Sequence, residues 1–120
     1  MTKKNALMTE TSKLDADTCQ SLVVAKLVRT ILDAGCNITV NDGEEVAISR
    51  STDYDAIIAA MFSTDSDTLI VRDPHALKPR LVVILLVYGN GRDVISDNTD
   101  NEAINALVQA AAAYAEKLPA

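Results

Sequence analysis

The longest uninterrupted apolar segment of the chain is Leu81–Tyr88, eight side chains that end at Gly89-Asn90-Gly91. A run this short, rich in β-branched residues and closed by glycine, predicts a strand rather than a helix. Because side chains alternate between the two faces of a strand, both faces of this one are apolar. The pattern predicts that each face is covered, by a helix that crosses over or by a second copy of the protein.

Apolar residues recur at helical spacing in the first part of the chain. We expect Asp15 or Asp17 to cap a helix that runs to about Ala34, and Gly35 to end it in the left-handed conformation. Leu22 is the exception to the pattern, since it falls on the charged face of this helix.

Two further segments have the same spacing. Ser51 or Thr52 is the predicted cap of a second helix, and the Thr99 to Glu102 spacing predicts a capping box at the start of a third. The third helix is rich in alanine and therefore thin, which favours close packing on a neighbour. The predicted buried stripe of the second helix is Tyr54, Ile57, Ile58, Met61 and Phe62.

Alternating apolar and polar residues predict a hairpin around Asn41-Asp42-Gly43. A three-residue loop with Gly43 in the bulge position would pair Ile38 with Val46, and so put the apolar residues of both strands on one face.

A third strand, 68–72, and a short fifth strand, 92–96, flank the apolar segment. The order α-β-β-α-β-β-β-α, with mostly hairpin connections, predicts an α+β fold in which a mainly antiparallel sheet of four or five strands packs with three helices. We expect residues 1–14 to be a flexible tail and residues 15–120 to form a single domain.

The composition argues against nucleic-acid binding and against a membrane span. The net charge of −6 and the presence of only three Tyr, one Phe and no Trp argue against nucleic-acid binding, which needs cations and stacking surfaces. No segment has the length and apolar content of a membrane span. Cys19 and Cys36 lie in apolar contexts without neighbouring histidine, so they are interpreted as buried free thiols of a cytoplasmic protein.

No catalytic or metal-binding constellation is evident, and no cofactor is expected. The densest group of carboxylates is Asp93, Asp97, Asp100 and Glu102, but its spacing is not that of a calcium loop, and helix capping explains part of it. Whether it binds a cation stays open. An enzyme is the least favoured hypothesis, with Asp93, Asp97 and the loop residue His75 as its candidate participants.

Arginines form the one candidate ligand site. Arg50, Arg72, Arg80 and Arg92 all fall at predicted strand ends, where guanidinium groups gather around anions or simply solvate the edge of a sheet. Together with Asn90 of the glycine turn, Arg50, Arg72 and Arg92 are the predicted ligand-binding residues of a protein that takes a nucleotide-like anion.

The favoured hypothesis is a small acidic accessory protein that acts as an interaction or assembly module and forms a homo-oligomer, in the simplest case a homodimer. The doubly apolar strand and the lack of catalytic groups motivate it. The predicted interface residues are Leu22, Val82, Ile84, Leu86 and Tyr88.

Overall fold

Three helices and five strands follow one another in residues 14–76 and 82–119, the part of the chain that the computed structural model describes. This confirms the α+β class, the antiparallel sheet and the predicted order of the elements. The predicted tail, apart from Leu14, and the connection containing Arg80 lie outside the described residues. The elements are α1 Ala16–Asp33, β1 Asn37–Asn41, β2 Val46–Ser51, α2 Tyr54–Ala59, β3 Ser66–Arg72, β4 Val82–Val87, β5 Ile95–Asn98 and α3 Glu102–Glu116.

The sheet has the strand order β2-β1-β3-β4-β5, and every neighbouring pair is antiparallel. Two of its connections are hairpins, and α2 carries the chain across β1 from β2 to β3. The central strand, β3, pairs along its length with β1 on one side and β4 on the other. Its residues therefore set the register of the whole sheet.

All three helices contribute to one core on the same side of the sheet, which we call the inner face. Ile38 of β1, Leu69 of β3 and Ile84 of β4 are fully buried there. The helices α1 and α3 pack against each other above these strands. The residues of the helices that are buried in this core are Val23, Val24, Leu27, Val28, Ile31, Ile57, Ile104, Ala111 and Ala115.

The alternation of β4 corrects the predicted interface. Val82, Ile84 and Leu86 are 6%, 0% and 0% exposed, because their side chains point into the inner core. They are not accessible to another molecule in the folded chain. The exposed positions of β4 are on the opposite face, and the final helix does not cross over to cover them but packs beside α1.

The first hairpin also differs from its predicted register. Ile38 pairs with Ser51 rather than with Val46, and Asn41 pairs with Val46, so the turn has four residues instead of three. Asp42 explains the longer turn, since its Oδ1 accepts from the backbone N–H groups of Glu44 and Glu45, both at 3.0 Å. These bonds hold the pKa of the Asp42 carboxyl below its usual range.

The structure confirms one predicted helix cap and contradicts another. Asp15 caps α1 as predicted, by accepting from Thr18 N–H at 2.7 Å. The capping box at Thr99 is wrong: Asn101 is the cap of α3, and its Oδ1 accepts from Ile104 N–H at 3.2 Å. Thr99 instead extends the pairing of β4 and β5. Its N–H donates to the backbone carbonyl of Val83, and its hydroxyl oxygen accepts from the N–H of Val83.

A buried polar cluster stands at the start of β3, which begins at Ser66, two residues before the predicted strand 68–72. Asp67 is 1% exposed, and its Oδ2 accepts from Phe62 N–H at 2.9 Å and from the hydroxyl of Tyr88. The Tyr88 ring also stacks on Phe62, with 4.7 Å between the ring centroids. Asp67 thus fixes the turn after α2, where Phe62 has the strained φ of 70°. Tyr88 belongs to this cluster rather than to an exposed surface.

Replacing Asn101 by alanine should lower the free energy of unfolding by about 1 kcal/mol, because the backbone N–H of Ile104 loses its partner. Glu102→Ala is the matched control: it changes the adjacent exposed residue, which would matter in a capping box but makes no capping bond here. Urea denaturation measures both. An equal or larger loss for Glu102→Ala would contradict the observed cap.

The pKa of Tyr88 lies well above its usual range, because burial disfavours the phenolate and Asp67 both bonds the hydroxyl and repels a negative charge. In the unfolded chain, a tyrosine loses its proton at about pH 10. The folded state therefore keeps a proton that the unfolded state has lost, so this contribution to stability is present below about pH 10 and declines as the pH rises further.

Tyr88→Phe should remove this alkaline decline and lower stability at neutral pH by about 1–3 kcal/mol, since a donor to the buried carboxylate is lost. Denaturation of wild type and variant at a series of pH values tests both effects. Tyr114→Phe, at a tyrosine without a bonded carboxylate, should retain the decline. Identical alkaline curves for wild type and Tyr88→Phe would refute the assignment.

Candidate functional site

The face of the sheet opposite the helices, which we call the outer face, is open among the described residues. The inner core accounts for the buried residues of all three helices, and none of its members comes from the alternate positions of β1, β3 and β4. Alternation places on the outer face Asn37 and Thr39 of β1, Thr68, Ile70 and Arg72 of β3, Val83, Leu85 and Val87 of β4, and Asp97 of β5.

An apolar strip runs along the middle of the outer face and consists of Ile70, Val83, Leu85 and Val87. Val83 is 37% exposed, which makes it one of only three large apolar side chains exposed to this degree among the described residues. The other members of the strip are partly exposed. The doubly apolar strand of the sequence is thus half core and half surface.

A polar pocket of about 270 Å³, which we call the arginine corner, opens at one end of the outer face. It brings together Arg50 of β2 and Arg72 of β3, two of the predicted ligand-binding residues. Asn37 and Thr39 of β1 lie between these two strands and complete the wall of the pocket. Ser49 and Ile70 also line it.

A β-bulge places Arg50 in this corner. Between the pairs formed by Ile38 and Val40, the strand β1 has one residue, Thr39, whereas β2 has two, Ser49 and Arg50. Without this extra residue, strict alternation would turn Arg50 to the same side as Ile48, toward the core. Both Ser49 and Arg50 face Thr39, and the backbone N–H of Arg50 donates to the Thr39 hydroxyl at 2.9 Å.

The bulge is strained, because Arg50 has a φ of 49°, in the left-handed region that favours glycine. The protein therefore has an arginine where a glycine would relieve the backbone. Such strain is characteristic of positions kept for the function of their side chain.

The other predicted ligand-binding residues are not part of this corner. Arg92 and Asn90 lie in the turn between β4 and β5, at the opposite end of the sheet, about 20 Å away along β3. The guanidinium of Arg92 donates instead to the backbone carbonyl of Leu118 at 3.4 Å. Of the predicted strand-end arginines in the described residues, Arg50 and Arg72 line one pocket and Arg92 does not.

Sequence reasoning missed the neutral members of the corner. The buried Oδ1 of Asn37 has no hydrogen-bond partner among the described residues. Its position in the pocket depends on the pairing of Asn37 with Arg72 across β1 and β3, two residues 35 positions apart in the sequence. Only a correct strand order could have placed them together.

The acidic residues do not assemble a cation site. No group of three or more His, Cys, Asp or Glu side chains suited to a metal ion occurs in residues 14–76 and 82–119. Asp93 precedes β5 and Asp97 lies within it, while Asp100 accepts from the side-chain amide of Asn105 at 3.0 Å.

The remaining candidates for chemistry stand apart from one another. His75 is exposed, and its backbone N–H donates to Asp73 Oδ1 at 2.9 Å. Cys19 is buried and Cys36 partly buried, and both are free. Burial, aided by the charge of Asp73, raises the pKa of the Cys36 thiol, so it stays protonated and is a poor nucleophile.

Comparison with known proteins gives no relative: no family model, no curated protein and no solved structure matches the chain. In the described residues, no helix combines the length and apolar character needed to cross a bilayer. The function must therefore be argued from the outer face itself.

Replacing Arg50 by glycine should leave stability unchanged or raise it by up to about 1 kcal/mol, since relief of left-handed strain outweighs the entropy cost of glycine. Arg72→Gly, in the extended strand β3, should be destabilising. Chemical denaturation of the two variants gives the comparison. A clear loss of stability in Arg50→Gly would show that the bulge is unstrained.

Proposed function

We propose that this protein is an interaction module that forms a homodimer through the outer face of its sheet. The observation that supports the proposal is the apolar strip, which is exposed although the chain has three helices with which to cover it. A row of aliphatic side chains on an open sheet is typical of a surface that pairs with another sheet.

The occupant we propose is a second copy of the chain, because the face is self-complementary. The strip lies on β3 and β4, the strands nearest the middle of the sheet, so a two-fold axis parallel to them would set strip on strip. The same rotation would set the margin that carries Arg50 opposite the margin that carries Asp97. Asp97 lies about 13 Å along the strands from the level of Arg72, so the proposed pairing rests on the apolar strip and not on ion pairs between the margins.

The size of the face indicates a dimer that dissociates readily. Five strands and the seven residues of β3 give a face of about 24 Å across and about 20 Å along the strands. The area that these two dimensions enclose is small compared with the ~800 Å² of surface that each partner buries in a stable complex. We therefore expect a monomer–dimer equilibrium in the micromolar range or weaker.

We also place the protein in the cytoplasm, a location that the free thiols of Cys19 and Cys36 support, because thiols stay reduced there. The proposed assembly role needs neither a catalytic group nor a cofactor. Leu22, the remaining predicted interface residue, is partly buried on α1, in the layer opposite the outer face. It has no part in the proposed contact.

Val83→Glu should shift the equilibrium to the monomer, because the dimer would bury two carboxylates in the centre of the apolar strip. Val46→Glu is the control, since Val46 is 50% exposed but pairs with Asn41 at the tip of the first hairpin, on the edge strand β2 and two strands away from the strip. Sedimentation velocity over a concentration series, with circular dichroism to verify folding, measures the mass of each protein. Leu85→Gln provides a second, milder substitution in the strip.

We expect wild type and Val46→Glu to approach the dimer mass as their concentration rises, and Val83→Glu and Leu85→Gln to remain nearer to the monomer. A wild-type protein that is monomeric at every concentration would refute the proposal. So would a folded Val83→Glu that dimerises as strongly as Val46→Glu.

A further inference from the structure

We propose that the arginine corner is a binding site for a phosphoryl group, carried by a small phosphorylated molecule or present as inorganic phosphate. The proposal is independent of the dimer. It rests on two guanidinium groups in one pocket, a strained bulge that positions one of them, and a buried polar atom without a partner.

The two arginines supply the charge. Arg50 and Arg72 are brought from different strands into one pocket of a protein whose net charge is −6. Among the described residues, neither guanidinium forms an ion pair or a hydrogen bond within the protein. Two cationic side chains that line the same pocket without a carboxylate partner would both be stabilised by an oxyanion between them.

The neutral residues supply additional donors. Thr39 accepts the backbone N–H of Arg50, which leaves its hydroxyl proton to point elsewhere, and the Ser49 hydroxyl lies beside it. The orphan Oδ1 of Asn37 marks a buried amide whose bonding is incomplete.

This set of donors fits a phosphoryl group better than a carboxylate. Two guanidinium forks, two hydroxyl groups and one amide offer more donors than the two oxygens of a carboxylate accept, whereas a phosphoryl group has three terminal oxygens with a charge near −2. The pocket, at about 270 Å³, is smaller than the sites that enclose drug-sized ligands. A phosphoryl group with a small attached moiety fits it.

The bulge gives the strongest indication that the corner is a binding site rather than a solvated edge. An exposed arginine that only keeps the edge soluble needs no left-handed backbone. Here an extra residue and a φ of 49° turn Arg50 from the core side to the side of Arg72. The same backbone with glycine would be relaxed but would lack the charge.

In the proposed dimer, the acidic margin of the partner would not fill the corner. Asp97, the acidic residue on the opposite margin, pairs with Leu85, which in turn pairs with Thr68. It therefore lies four residues, or about 13 Å, along the strands from the level of Arg72. The two-fold pairing does not bring this carboxylate into the pocket.

The test is isothermal titration of the full chain with inorganic phosphate and, separately, with O-phosphoserine, in a buffer free of other oxyanions. Arg50→Gln and Arg72→Gln should each weaken binding about tenfold or more, since each removes a charge-assisted donor. Arg92→Gln is the matched control, because it makes the same change in net charge at the opposite end of the sheet. Val83→Glu should bind as the wild type does, which separates this site from the dimer.

Binding of either compound that is lost in the Arg50 and Arg72 variants and kept in Arg92→Gln supports the site, and tighter binding of O-phosphoserine identifies a small phosphorylated molecule as its natural type of ligand. Arg50→Gly should also lose binding while its thermal stability is at least that of the wild type. A lack of binding by the wild type overturns the proposal, as does an equal loss in Arg92→Gln, which would indicate a nonspecific effect of charge.

Discussion

The structure depends on one packing constraint: all three helices cover the same face of a five-stranded sheet. The inner face is sealed so completely that Ile38, Leu69 and Ile84 have no exposed surface. Nothing of comparable size among the described residues is left for the other face. Among the described residues, the outer face of the sheet is therefore left uncovered by the helices.

The properties of that outer face follow from the constraint. The strand β4 is apolar on both sides, although only one side contacts helices, and its second side appears as the exposed Val83 and its neighbours in the strip. The edge strand β2 pairs on one side only, with β1, and there the backbone accepts the bulge at Arg50. Apolar strip and arginine corner are thus two uses of the same uncovered face, one suited to a second sheet and the other to an anion.

The sequence predicted the elements well because their signals are local. Asp15 before a helical pattern, the glycine turn after β4 and the alternation of β1 each act over a few residues, and the structure confirms them. The choice of which face of β4 is inside could not be predicted in this way. Both faces are equally apolar, and only the positions of the helices distinguish Ile84 from Val83.

The other differences have the same origin in tertiary structure. Asp67 is a residue type common in loops but is buried in β3, because the backbone N–H of Phe62, five residues earlier, and the hydroxyl of Tyr88, 21 residues later, donate hydrogen bonds to it. Thr99 has the spacing of a cap but pairs with β4. The arginine corner required the strand order and a bulge, neither of which leaves a mark in the sequence of a single protein.

The most direct test of dimer formation through the apolar strip is methyl NMR of the full chain over about a hundredfold range of dilution. A two-state association moves only the signals of groups whose surroundings change on binding. Dimer formation through the apolar strip predicts concentration-dependent shifts for the methyl groups of Val83 and Leu85, and none for Val46 or for Leu27 in the core. Invariant signals from Val83 and Leu85 over the whole range, or shifts centred on Val46, would contradict it.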